Sequence, residues 1–373
     1  EGNLLDIVKS GGLGNYLRNL HEKYGDIASF WLFGPLLAVS VSSPNTADKL
    51  SHLFDKPTDL YEPLKAFVGK SSILFTNGNE ARQRRALWNQ LLLELLEKWA
   101  DSPKDEHIPV QQYMKAFFAK LMLSIGFGDY FKKNGKLILE FGRTLEVCWL
   151  ELESRVGNYV PEEESVRHSN FVKNCNSLRE HIDKALQYYE DVESSHALLE
   201  PLILSKELKK DEILDDCMTY ILKTYSLSTA AAWVLYELAS KSEEPVLRDR
   251  NSIDNFVNKT LCNRVVESWT ARVNNHVDED IAGNTVPKGT PIVFALNSLL
   301  ENEENCEFIF GCRRSKRYCP ANNFSIKTLR LLVDYVTNNF MLNLVSSDLK
   351  PQTVNSIIER SEDELWITVT TKK

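Results

Sequence analysis

The stretch FIFGCRRSKRYCPANNFSIKTLRLLVDYV, residues 308–336, joins a basic loop to an apolar-periodic run. The loop carries Arg313, Arg314, Lys316 and Arg317, and Cys319-Pro320 follows it. In the run, Phe324, Ile326, Leu329, Leu331, Leu332, Tyr335 and Val336 recur at three- and four-residue steps, the spacing of a largely buried helix. Asn322 or Asn323 suits its start, because a short polar side chain accepts from the orphan N–H groups of a first turn. Cys319 then stands just ahead of a helix N-terminus and beside four cations, and both favour thiolate over thiol. A thiolate so placed is a nucleophile or a soft metal ligand. A structural thiol behind a solvated basic loop is the alternative, and these residues alone leave both open.

The rest of the chain sets the bounds. Its 373 residues, 43% hydrophobic and 26% charged, suffice for one large core or two modest ones. A net charge of −8 argues against a general nucleic-acid binder, since phosphate affinity rests on a basic surface. Seven cysteines, an odd number without framework spacing, predict reduced thiols on the cytosolic side. No run approaches eighteen uninterrupted apolar residues, the length a spanning helix needs. The sequence opens on Glu1, which leaves room for a preceding segment.

Along the chain, LGNYLRNLHEKY (13–24) predicts a short amphipathic helix stopped by Gly25. IASFWLF and LLAVSVS, flanking Gly34-Pro35, predict a β-hairpin, and NTADKLSHLF after Pro44 predicts another helix. From about 80 to 240 the pattern is helical almost throughout, including RRALWNQLLLELLEKW, YMKAFFAKLMLSIGF, KLILEFGRTLEVCWLELE and SLREHIDKALQYYEDV. The carboxylates at 162–164 and at Asp211, Glu212, Asp215 and Asp216 are expected to face solvent or begin helices. EILDDCMTYILKTYSLSTAAAWVLYELAS, ending at Ser240, is apolar on nearly all sides, which marks a central buried helix. Ser226, Ser228 and Thr229 interrupt it. Such hydroxyls either bond back to their own helix or form a polar notch facing a cofactor. Residues 253–272 again predict helix, Val286-Pro287-Lys288-Gly289 a type I turn, IVFAL a strand, and the closing ELWITVTTK another. The prediction is a mainly α chain with small β-sheets.

Several chemistries lack their motifs. There is no G-x-S-x-G elbow, no Walker loop and no H-E-x-x-H, and the seven histidines are dispersed. Cys306, Cys312 and Cys319 are too widely spaced for the usual zinc pairs. A cysteine nucleophile needs a histidine partner, and nothing singles out His276, the nearest.

The order of features resembles a cytochrome P450. LHEKYGDIASFWLFG, LLAVSVSSP, the long buried helix, VPKGT before a strand, and Cys-Pro heading a helix come in that family's sequence. The opening GNLLDIVKSGGL, the stretch LDDCMTYILKTYSLSTAAAW and the closing SEDELWITVT look like family 20 of those haem-thiolate proteins. The resemblance implies a shortened, divergent cytochrome P450-like fold, mainly α, in one domain over 1–373. Its parts are a β-rich N-terminal part about 25–75, a helical core about 80–272, and a haem-ligand loop with its following helix about 308–342. It gives Cys319 the role of axial ligand to the iron of haem b, where a thiolate pushes electron density toward O–O cleavage. Arg317 matches the arginine of the F-x-x-G-x-R-x-C-x-G signature, which pairs with a haem propionate. Arg85 matches the arginine of W-x-x-x-R, with Ala81 in place of tryptophan. Ser228 falls at or beside the alcohol of the distal acid–alcohol pair, without its acid.

Departures are plain. Cys312 replaces the signature's Phe, Ser315 and Ala321 its two glycines, and Asn263 and Val266 stand where E-x-x-R belongs. Two functions therefore compete. One is a haem-thiolate monooxygenase that inserts one oxygen atom from O2 into a small apolar substrate, with electrons from a flavoprotein reductase. The other is a degenerate, non-catalytic relative, or a chain with skipped segments, that binds haem weakly or not at all. The resemblance further implies an N-terminal membrane anchor absent from this chain and a place on the cytosolic face of the endoplasmic reticulum membrane, while the net charge argues for no nucleic-acid partner.

Overall fold

A computed structural model describes residues 2–32, 36–53, 55–69, 77, 107–156, 160–190, 197–241, 250–300, 306, 308–346 and 350–372. Helix α1, Leu13–Tyr24, buries Leu13, Leu17 and Leu20 on one face. Gly25 ends it at φ +83°, a conformation open to a residue without Cβ. Strands β1, Ile27–Trp31, and β2, Leu37–Val41, pair antiparallel as the hairpin pattern predicts. The helix after Pro44 is shorter than expected and stops at Lys49. Helices α2, Val110–Phe127, α3, Gly135–Arg155, and α4, Val166–Glu190, follow their apolar periodicity. The segment RRALWNQLLLELLEKW lies outside the described residues.

Helix α5, Lys210–Ser240, is the axis of the main core. It packs most extensively on α2. Gly126 makes that approach possible, because a Cβ there would come within 2.6 Å of the Tyr220 ring. Tyr220 donates to the Met122 carbonyl at 3.0 Å and pins the contact. Asp211 and Glu212 begin the helix, where its dipole favours them. Asp215 and Asp216, expected to face solvent or begin the helix, are instead 2% and 0% exposed. At Asp215 charge pairing overrides hydrophilicity: Arg179 of α4 reaches it at 2.6 Å.

Helix α6, Arg250–Asn263, ends nine residues short of the predicted helix, and Trp269–Arg272 forms strand β3 instead. There β3 pairs antiparallel with β4, Ile292–Ala295, and the ladder outweighs local helical periodicity. The sheet order is β1-β2-β4-β3, with β2 and β4 parallel. Every residue of β4 is buried, as a central strand covered on both faces requires. The turn before it also differs from expectation. Thr290 donates to the Pro287 carbonyl and Gly289 has φ +82°, so the turn is Pro287–Thr290 with glycine third, the type II pattern.

A second cluster joins Val39, Val41, Ile292 and Phe294 to Leu299, Phe308 and Cys312, and so seats the approach to Cys319 on the sheet. Helix α7, Asn322–Asn339, leads into β5, Phe340–Leu344, and β6, Trp366–Thr371, pairs with β5 and with Ile108–Pro109. The reduced-thiol expectation fails at one pair: Cys262, at the end of α6, and Cys306 form a disulfide. No helix among the described residues is long and apolar enough to cross a membrane.

Candidate functional site

Residues 308–319 fold as successive tight turns. Gly311, at φ +87°, donates to the Phe308 carbonyl, Ser315 to Cys312, and Tyr318 to Ser315. The turns send Arg313, Arg314 and Lys316 outward and fold Ser315 and Arg317 inward. Arg314 pairs with Asp48 at 2.7 Å but is 71% exposed, so the pair contributes little. Arg317 is 4% exposed, and its guanidinium donates to Asn77 Oδ1 at 3.3 Å. Asn77 Oδ1 also accepts from the Lys56 backbone N–H, and its Nδ2 donates to the Lys56 carbonyl. One amide thus locks the Lys56 segment against the cysteine loop.

Cys319 stands three residues ahead of α7, is partly buried and is not in a disulfide. Its N–H donates to the Phe310 carbonyl at 3.3 Å, and its carbonyl accepts from Asn322 Nδ2 at 2.6 Å. Asn322 was one of two residues, with Asn323, expected to cap the helix by accepting. It donates backward instead and fixes the Cys319 peptide.

Above this loop, α5 turns a narrow polar strip toward a hollow. Between Asp215 and Leu235 every residue is buried except Lys223 and Ser226, which are one turn apart on one face. Lys223 Nζ lies 2.5 Å from Glu267 Oε1, and Ser226 Oγ donates to the same oxygen at 3.2 Å. The Lys223 and Glu267 side chains keep 44% and 40% of their surface although both lie deep in the protein. Side chains bordering an internal hollow behave this way.

Charge in the hollow is predominantly positive among the described residues. Lys56 is pushed well below the usual lysine range by burial and by Arg272, Arg317 and Lys223, with only Glu267 opposing. Its Nζ lies 4.7 Å over the Tyr61 ring, a cation–π contact. Tyr61 Oη accepts from the Ala271 N–H at 3.1 Å, and burial raises its phenol. Arg272, 5% exposed, donates to Thr270 Oγ1 and to the Ala271 carbonyl. Burial disfavours charge on Lys223, yet Glu267, by charge and hydrogen bond, holds its pKa above the ordinary value, and Cys319 adds to this. Glu267 is held below the carboxylate range: burial pushes it up, but Lys223, Lys56 and Ser226 together outweigh burial.

The Lys56 shift has a sign that can be measured. The folded protein holds that proton less tightly than the unfolded chain, so stability rises with pH. The penalty is absent above about 10.4, where the unfolded lysine titrates, and grows as pH falls toward the folded value. Denaturant unfolding of the ligand-free protein between neutral pH and about pH 9 will show this rise, and Lys56→Met will flatten it. Equal slopes in the two proteins would mean that Lys56 keeps its ordinary charge when folded and is not depressed by burial and its cationic neighbours.

The sequence-predicted residues fare differently. Cys319 and Arg317 meet at the hollow, and Arg85 lies outside the described residues. Ser228 is 2% exposed, and its hydroxyl donates to the Tyr225 carbonyl at 3.0 Å, the bond back to its own helix. Lys56, Tyr61, Lys223, Glu267 and Arg272 were missed. Lys223 left a signal, as the one charge in the apolar middle of α5. Glu267 and Arg272 sit in a segment expected to be helical, and that error hid them.

No family model matches the chain. Cytochrome P450 20A1 of Rattus norvegicus is 27% identical over 341 residues, covering 81% of this chain and 72% of the relative. Its namesake of Mus musculus is 25% identical over 429 residues, covering 99% and 90%. Among solved structures, the retinoic acid-bound cyanobacterial CYP120A1 superposes with a TM-score of 0.78 at 14% identity, covering 100% of this chain and 97% of that one. The likeness in fold spans the whole chain, and the likeness in sequence runs nearly end to end. The chain has the cytochrome P450 fold and is, in sequence, a divergent relative of family 20 of the cytochromes P450.

Proposed function

We propose that the chain is a haem-thiolate monooxygenase in which Cys319 ligates the iron of haem b. The observation that carries this is a cysteine outside any disulfide, just ahead of a helix start, beside a deep hollow rich in cations. The residues fit the group. An anionic macrocycle with two propionates relieves the repulsion that Lys56 suffers from Arg272, Arg317 and Lys223. Arg317 and Arg272 would hold those carboxylates from the cysteine loop and from β3, with Lys56 beside them. Arg85 stands as a further propionate partner on the sequence motif alone.

Bound haem supplies the oxidising chemistry: with two electrons and two protons, one atom of O2 enters the substrate and the other leaves as water. The protein's own groups do the rest. The α7 N-terminus and the basic loop keep the Cys319 sulfur anionic. Ser226, two residues before the expected Ser228, offers its hydroxyl from the α5 strip, and Glu267 accepts that proton's hydrogen bond. Glu267, carried by a different segment, thereby stands in for the acid that α5 lacks. Arg313 and Lys316 face solvent and suit docking of an acidic flavoprotein reductase. Leu5, Val8, Tyr24 and Trp31, each at least 43% exposed near the N-terminus, suit contact with the endoplasmic reticulum membrane.

The test is the reduced, carbon-monoxide-bound difference spectrum of the purified protein together with its haem stoichiometry. A thiolate-type Soret band at one haem per chain is expected. The competing reading, a non-catalytic relative, draws on Asn263 and Val266 replacing the E-x-x-R pair, and a spectrum without haem absorbance would establish it.

A further inference from the structure

We propose that Cys148 and Cys175 are a peroxide-sensitive pair that closes to a reversible disulfide and ties α3 to α4. The pair takes no part in the haem-thiolate reading and does not depend on it. Both thiols are wholly buried and outside any disulfide, and their sulfurs lie 3.9 Å apart across the α3–α4 contact. A disulfide needs about 2.05 Å, so each sulfur has roughly 1 Å to travel, within the reach of a side-chain rotation. Buried thiols in contact are by themselves ordinary packing. What sets this pair apart is two guanidinium groups. On α4, Phe171, Cys175 and Arg179 follow at four-residue steps and share one face. Arg155 of α3 stacks over the Phe171 ring at 4.1 Å. Arg155 Nε bonds Glu151 and Arg179 Nη2 bonds Asp215, but Arg155 Nη2 and Arg179 Nη1 are buried without a hydrogen-bond partner. Spare cationic donors do little for a neutral thiol and stabilise a thiolate. Cys217 of α5 is the contrast: burial and then the Asp216 charge both hold its thiol protonated.

The oxidant is hydrogen peroxide, little larger than water, which reaches the pair through local openings of the helices. One sulfur, as thiolate, attacks a peroxide oxygen. The O–O bond breaks, a sulfenic acid forms, and the departing hydroxide takes up the proton the thiol gave. The second sulfur then attacks the first, the S–S bond forms, and the S–O bond breaks to release water with the second thiol's proton. Two thiols and one peroxide give one disulfide and two waters, and the two electrons lost by sulfur go to the peroxide oxygens. The Cys175 thiol is pushed up by the hydrogen bond it gives Cys148 and by burial, while Arg155 and Arg179 pull the other way. The step is therefore slow at neutral pH and speeds as pH rises, so the pair answers sustained peroxide and not a brief pulse. Cys148 adjoins Trp149, whose ring stacks on Tyr225 of α5 at 4.7 Å, so the closed bond also steadies α3 over α5.

The experiment incubates the purified full chain with hydrogen peroxide, unfolds it in iodoacetamide to block the remaining thiols, and maps its peptides without reduction. A linked peptide joining Cys148 to Cys175 is expected, forming faster at alkaline than at neutral pH, with Cys217 still alkylated. Dithiothreitol should abolish it. The bond spans a sequence separation of 27, so the thermal midpoint should rise by about 5 °C. In Cys148→Ser and Cys175→Ser neither the linked peptide nor the rise should occur. Cys148 and Cys175 both recovered alkylated, after peroxide has oxidised the more exposed Cys319, would overturn the proposal. So would links from either cysteine to Cys217 in equal yield, or an equal thermal rise in the serine variants. If a serine variant fails to fold, the peptide map of the unaltered protein still decides it.

Discussion

Cys319→Ser is expected to abolish the thiolate-type Soret band of the reduced, carbon-monoxide-bound protein completely, while the fold persists. The two expectations follow from different parts of the residue. The fold uses the Cys319 backbone: its N–H on Phe310 and its carbonyl on Asn322 are unchanged by a serine. Function uses the sulfur, because a serine hydroxyl stays protonated where a thiol beside a helix N-terminus ionises. Residue 319 is partly exposed, so the substitution opens no large cavity, and its direct stability cost should be under about 1 kcal/mol. Circular dichroism and a haem-free thermal midpoint check the fold, and the carbon-monoxide spectrum checks the ligand. An unaltered Soret band in Cys319→Ser would remove Cys319 from the iron and dissolve the monooxygenase reading.

How far the sequence led depended on whether a property is local. Helix α1 with its Gly25 stop, the β1–β2 hairpin and the buried length of α5 are written in hydrophobic period and breakers, which neighbours within a few residues settle. Strand β3 is not. Trp269–Arg272 follows a helix and takes its conformation from a ladder to Ile292–Ala295, in which Arg272 pairs with Ile292 and Trp269 with Ala295. The site divides along the same line. Cys319 and Arg317 share one loop and are legible together. Lys56, Lys223 and the Glu267–Arg272 stretch are three distant segments, and only packing brings them to one hollow. Ser226 and Ser228 show the limit of resolution within a helix, since two residues are about 200° of rotation and decide which hydroxyl meets the hollow.

The Cys262–Cys306 disulfide is expected to supply a large share of the protein's stability and of its grip on the cysteine loop. It ties the end of α6 to the segment just before Phe308, across a sequence separation of 44. That junction has lost other fastenings: Asn263 and Val266 occupy the places of an ion pair, and seven residues separate Leu300 from Phe308. Arg264, the charge that remains, turns away to Glu237 at 3.0 Å and stacks over Trp233. The covalent link therefore adds to the apolar packing of Cys262, Val265, Leu299 and Phe308 in holding this junction. Closing a loop of this length in the unfolded chain is worth about 4 kcal/mol in loop-closure entropy. Cys262→Ser should lower the unfolding free energy by up to that amount and speed the loss of bound haem. Urea unfolding with and without a thiol reductant separates this from a local packing defect. The unaltered protein should fall toward the variant when reduced, because Cys262 is buried and its packing survives reduction. The variant itself should not respond. Equal stability of oxidised and reduced protein would mean that the second core cluster, from Val39 to Cys312, holds the loop on its own.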